Sequence, residues 1–271
     1  DAALPTKDAA ALIRTVYGAD GPPNFEDKAH ILLLPEPLAE RAKALHQTEE
    51  ALEARLAPLR QKLLAARAKR PRPTRDTKVL TGWNGLMIAG YARAGQALGE
   101  PAYTRAAARA ADFVLSHMRT RDGRLLRSYG AAPGEKPEAR LSGYLDDYAY
   151  LVHGLLNLHD ATGEARWLDE AKALTDVMVK YHADPDGGGF FYTANDHEKL
   201  FARAKGGSDT ALPSGNSVAA RDLVRLWRKT GDDRYRALAE KTLRAFAGPL
   251  KANPTGLTTM AEALALYLDK K

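Results

Sequence analysis

Two adjacent aspartates, Asp146 and Asp147, stand where small and polar residues give way to a helical apolar pattern, in "SGYLDDYAYLVHG" from Ser142. Paired carboxylates beside a cavity can act as general acid and base on a glycosidic bond, one protonated and one ionised. Three further segments open on the same Ser/Thr-Gly step: "TGWNGLMIAG" at Thr81, "SGNSVAARDL" at Ser214 and "TGLTTMAEALAL" at Thr255. If these starts converge, Asp76, Asp146 and Asp147 are the expected catalytic carboxylates. Trp83, Asn84, Tyr148, Asp209, Ser214 and Asn216, with Tyr129 and Tyr192 from the intervening loops, are the expected substrate-binding set. Aromatic rings stack on sugar faces, and amides hydrogen-bond to sugar hydroxyls. A plainer reading stands beside each. Acidic residues in a first turn favour the positive end of the helix dipole, and a Ser, Thr or Asn there caps free N–H groups. Trp83 could equally pack in a core.

The elements that would position these residues repeat. "AGQALGEPAYTRAA", "LHDATGEARWLDEA" and "LWRKTGDDRYRALA" align without gaps around Gly99, Gly163 and Gly231, which are 64 and 68 residues apart. Each glycine is placed to end one helix in the left-handed conformation before the next begins. Tyr103, Trp167 and Tyr235 keep the same spacing, so each aromatic can pack back across a tight turn. A period this long, with two helices per unit, predicts an array of helical hairpins. The returning connections are long, roughly 120–141 and 183–213, and both carry an aromatic stretch after an Asp-Gly pair, at Asp122-Gly123 and Asp186-Gly187. Both are expected to form β-ribbons over one end of the array. Upstream, one helix should end at Gly18 and another should start at the Thr48 cap. The expectation is one all-α domain of about ten helices, with residues 1–75 as N-terminal helices and linker and 76–271 as hairpins.

Composition excludes several alternatives. The chain has no cysteine, so disulfides, thiolate metal sites and cysteine nucleophiles are absent from it. No histidine pair has the spacing of a zinc site, and no glycine-rich phosphate loop is present, so neither metal nor cofactor is expected. The net charge of +6 is spread along helices beside acidic partners, and the basic run "RAKRPRPTR" from Arg67 reads as a solvated connection. Neither nucleic acid nor membrane is an expected partner, and a cytoplasmic location follows. Asp1-Ala2-Ala3 is neither an initiator methionine nor a signal peptide, and reads as a processing boundary.

The stretches "RPTRDTKVLTGWNGLMIAGYARAG", "LDDYAYLVHGLLNLHDATG", "GGGFFYTAND" and "ALPSGNSVA" resemble the C-terminal helical part of the thioredoxin-domain-containing family related to spermatogenesis-associated protein 20. "YGADGPPNFEDKAHILLL" extends the resemblance over nearly the whole chain. It implies an (α/α)6 toroid akin to six-hairpin glycosidases and N-acylglucosamine 2-epimerases. About ten helices fall short of the twelve of such a toroid, so self-association is an expected partner mode, as is contact with remaining toroid helices or a thioredoxin-like domain of the same protein. The implied ligand is a small sugar. Epimerases of the related fold use histidine pairs, and none of the seven histidines here sits at the four helix starts. A glycosidase-like or carbohydrate-binding pocket is therefore the preferred reading, ahead of a non-catalytic interaction module or an epimerase.

Overall fold

The computed structural model describes residues 3–131, 135–198 and 201–269. The chain divides into two compact units, Asp1–Asp76 and Thr77–Lys271. The first contains α1 (Lys7–Val16), α2 (Leu38–Ala44) and α3 (Glu49–Ala68). Ile13, Val16, Ala42, Leu52, Leu56 and Leu59 meet at helical spacing to make its core. The Thr48 hydroxyl accepts from Ala51 N–H, so the predicted cap forms.

The second unit is the hairpin array. Helices α4 (Thr81–Leu98), α6 (Leu145–Thr162), α8 (Gly215–Thr230) and α11 (Thr258–Leu268) pack side by side in that order. Each of the first three turns back into an outer partner: α5 (Pro101–His117), α7 (Ala165–His182) and α9 (Asp233–Ala245). The joints are the three repeat glycines, at φ +67°, +70° and +73°. Helix α10 (Ala247–Ala252) and a 3-10 turn at Pro254–Gly256 lead into α11. Among the described residues no helix is long and apolar enough to cross a membrane.

Helix α6 is central. From Asp147 to Leu158 all of its residues are buried, between α4, α7 and α8. Its contact with α4 is close because two glycines meet there. A Cβ on Gly85 would lie 2.5 Å from the Tyr150 carbonyl, and one on Gly154 would lie 2.7 Å from the Gly85 carbonyl oxygen. Backbone against backbone leaves no side chain to yield. At the far end Trp167 is fully buried beneath the Arg166 guanidinium, 3.6 Å from the ring centroid.

One ribbon forms as expected. Strands β1 (Val79–Leu80), β2 (Leu126–Gly130) and β3 (Glu138–Ser142) make an antiparallel sheet in that order, with Tyr129 opposite both Val79 and Ala139. The second expected ribbon does not. Residues 183–195 contain a single bridge, Ala183 to Phe190. Gly188 and Gly189 both have positive φ, and the Asn216 side chain takes the Phe190 N–H and C=O that a partner strand would use.

Candidate functional site

The helix starts converge, but the Ser and Thr hydroxyls are not what caps them. Thr81 Oγ1 donates to the Leu126 carbonyl and Ser214 Oγ to the Gly206 carbonyl, tying helix starts to loops instead. Free amides at the starts are met by carboxylates from neighbouring elements. Asp147, on α6, accepts from Gly82 N–H of α4 at 2.9 Å through Oδ1. Asp146 receives the Gly215 amide at the start of α8. Asp209, in the loop before α8, accepts from Ser214 N–H and, through Oδ2, from Thr259 N–H and Thr258 Oγ1 at the start of α11. Acidic groups at neighbouring helix N-termini thus staple the four starts together.

This arrangement separates the two adjacent aspartates. Besides Gly82, Asp147 accepts from Tyr144 N–H at 2.9 Å and from Arg127 Nη1 at 3.2 Å through Oδ2, and it is 2% exposed. It is an anchor, not the free second carboxylate that a pair needs. Burial raises its carboxyl above the usual range, opposed by the Tyr144 and Gly82 amides and Arg127. Asp146 is half-buried and lines a cavity of about 330 Å³ with Tyr150, Tyr192, Ser208, Thr210, Ser214 and Asn216. Burial first and the Asp147 charge second push its pKa up to about 6, against Arg127 and the Gly215 amide. A carboxyl tuned this way exchanges its proton near neutrality, as acid–base catalysis requires.

The other expected residues divide. Tyr192 and Ser214 line the cavity. Asn216 lines it too, although its amide bridges Phe190 and the Gly206 carbonyl, so it braces the wall. Asp209 holds that wall from behind. Trp83 and Asn84 share this end of the array without lining the cavity, contrary to the expected common pocket. Trp83 is 61% exposed, and Asn84 turns back to donate to the Leu80 carbonyl. Tyr148 is buried, its hydroxyl accepting from Leu125 N–H, and Tyr129 packs edge-on against Phe113. Asp76 belongs to the first unit.

Three participants escaped the sequence reading. Tyr150 lies one helical turn beyond Asp146, a spacing that could have revealed it; its hydroxyl donates to the Pro213 carbonyl. Apart from Asp209, the wall from Gly206 to Leu212 carried no local signal, and neither did the cation Arg127. Arg127 lies 5.0 Å over the Tyr144 ring, which stacks on Tyr192 at 4.8 Å. His153, in contrast, sits deep on α6 in a buried network with Asp222, Asn157, Arg221 and Arg225, away from the cavity lining.

The sequence profile of the N-acylglucosamine 2-epimerase (GlcNAc 2-epimerase) family matches residues 99–257, more than half of the chain. This chain belongs to that family. It is also 39% identical to human spermatogenesis-associated protein 20 over 209 residues, 75% of this chain and 27% of the human protein. It therefore spans about a quarter of the length of that relative. Among solved structures, the GH76 α-mannanase of Bacteroides thetaiotaomicron superposes with a TM-score of 0.53 at 17% identity, covering 65% of this chain and 47% of that one. Cellobiose 2-epimerase of Spirochaeta thermophila gives 0.50 at 20% identity, covering 62% and 43%. Both are (α/α)6 toroids, and the helical hairpins described above share their architecture.

Proposed function

We propose that the second unit binds a terminal sugar ring in the cavity at the starts of α6 and α8, and acts on it in a glycosidase-like way with Asp146 as proton donor. The observation that carries this reading is the placing of Asp146 in the cavity lining among two tyrosines and three hydroxyls; burial there and the Asp147 charge push its pKa up to about 6. Below that pH Asp146 holds the proton that a leaving glycosidic oxygen needs, while a water adds to the anomeric carbon and releases its own proton to solvent. The neighbouring Asp147 carboxyl, held by two amides and Arg127, helps keep the proton on Asp146 to a higher pH. Tyr192 offers a ring face, and Ser208, Thr210 and Ser214 offer partners for sugar hydroxyls.

Membership of the epimerase family favours a second reading. Asp146, ionised above its pKa, would remove the C2 hydrogen of the ring-opened reducing sugar, the electron pair passing to the C1 carbonyl, and return it as that carbonyl re-forms. The two readings predict opposite pH limbs. Glycoside cleavage by Asp146 as acid falls as pH rises through about 6, whereas C2 exchange by Asp146 as base falls as pH drops through it. Incubating the protein with a panel of reducing disaccharides in D2O and following proton NMR separates them: monosaccharide products for one, loss of the C2 proton signal of the reducing-end ring for the other. Asp146→Asn should lower whichever rate is seen by about 10²–10⁴-fold. Turnover untouched by this substitution would overturn the assignment of Asp146. Sugar binding with neither reaction would favour a non-catalytic module.

A further inference from the structure

Arg127 is not itself among the residues lining the cavity; it stands on β2, a strand paired on both sides, so its backbone is held by the sheet, and its charge acts on the lining residues Asp146 and Tyr192. Its Nη1 donates to Asp147 Oδ2, and among the described residues that is the side chain's only hydrogen bond. Nε and Nη2 keep their donors, and 32% of the side chain is open to solvent. The guanidinium lies over Tyr144, whose ring stacks on the cavity-lining Tyr192. A guanidinium anchored through one nitrogen presents the rest of its fork as a planar pair of donors, which matches a carboxylate.

Resting on the reading of the cavity as a sugar site, we infer that its substrate is a hexuronate, whose ring lies against Tyr192 and whose carboxylate is received by the free donors of Arg127. A phosphorylated sugar fits less well. Asp146 and Asp147 already place two carboxyl groups beside Arg127, and a phosphate brings close to two negative charges where a uronate brings one. The same crowding couples binding to a proton. The charged groups around Asp146 are Asp147 on its own helix, Arg127 on β2 and the arriving carboxylate. Tyr150 on α6 and Tyr192 after α7 stay neutral, Asp209 lies behind the loop wall beyond Tyr150, and the Gly215 amide faces it from α8. Adding an anion that shares Arg127 makes the protonated form of Asp146 more favourable. The substrate thereby loads the proton donor that acts on it.

Isothermal titration calorimetry of the 271-residue protein at pH 6.5, in two buffers of different ionisation enthalpy, tests this with D-glucuronate, D-glucose and D-glucose 6-phosphate. D-glucuronate should bind at least about tenfold tighter than D-glucose, the worth of one charge-assisted hydrogen bond, with net proton uptake. Arg127→Gln should bring that ratio close to one and Arg127→Lys should leave it intermediate, with thermal melts run alongside. Should Arg127→Gln not fold, the unmodified protein decides by its own ratio and proton count. D-glucose binding as tightly as D-glucuronate would overturn the hexuronate assignment and leave the sugar site standing. Tighter binding of D-glucose 6-phosphate, or proton release, would also overturn it. Binding of none of the three would overturn both readings.

Discussion

Asp147 commits both carboxylate oxygens to amides and a guanidinium, while the next carboxyl along the chain, Asp146, opens into the cavity. Their amide variants should therefore move stability in opposite directions. In Asp147→Asn one amide N–H must face the N–H of either Gly82 or Tyr144, leaving a buried donor unpaired, at a cost of about 2–4 kcal/mol in urea unfolding at pH 7.5. Asp146→Asn keeps an oxygen for the Gly215 amide and removes a carboxylate that folding holds in an unfavourable place. The folded pKa of Asp146 is raised to about 6 from 3.8. Its contribution is thus fully present below the unfolded value and is lost as pH rises through the folded one. Asp146→Asn should therefore be more stable than the unmodified protein by roughly 1–3 kcal/mol at pH 7.5, with the difference vanishing below about pH 4. A variant less stable at pH 7.5 would show that the Asp146 charge is needed for the fold.

The register between α4 and α6 decides which amide reaches which carboxylate, and two glycines fix it. Gly85→Ala would drive a methyl group into the Tyr150 backbone at 2.5 Å, separating the helices and moving Gly82 from Asp147. A loss of at least about 2–3 kcal/mol is expected. Gly90 lies in the same helix with open space where its Cβ would be. Gly90→Ala should stabilise by about 0.5–1 kcal/mol through helix propensity alone. Melting temperatures of the two variants should move in opposite directions, and parallel losses would mean that the close crossing is not what holds the pair. Trp167→Ala, at the remote end, should cost about 3–5 kcal/mol through its cavity and leave sugar affinity alone.

Across the whole molecule two titrating groups, one half-buried and one buried, oppose each other between pH 4 and 6.5. His182 is 1% exposed, packs against Tyr148 and donates from Nδ1 to the Phe191 carbonyl. Burial lowers its pKa to about 4 from 6.5. A depressed folded pKa gives stability that is present above the unfolded value and is lost as pH falls through the folded one, on the order of 3 kcal/mol here. The Asp146 contribution grows over nearly the same window as pH falls. The unmodified protein should therefore melt at a nearly constant temperature from pH 6.5 to 4. Asp146→Asn should expose the His182 term, so that its melting temperature drops steeply toward acid. His182→Asn should do the reverse and gain relative stability as pH falls. Identical pH profiles for all three proteins would remove both residues from the acid response.

The hairpin array was readable from the chain because its signals are local. A glycine ends each helix in the left-handed region, an aromatic follows at fixed spacing, and apolar residues recur with the helical period. None of these needs a distant partner. The ribbon at 126–142 was legible for the same reason. The second aromatic stretch, with similar local cues, lost its partner strand to the Asn216 amide, a residue 26 positions from the Phe190 that it holds. The site followed that pattern. That helix starts would gather at one end could be read from loop lengths. Which carboxyl stayed free could not. Gly82 lies 65 residues from the Asp147 that caps it, and Arg127 meets Asp147 only because a strand folds over the helix start. Protonation and exposure depend on such long-range contacts, and those exist only once the helices are packed.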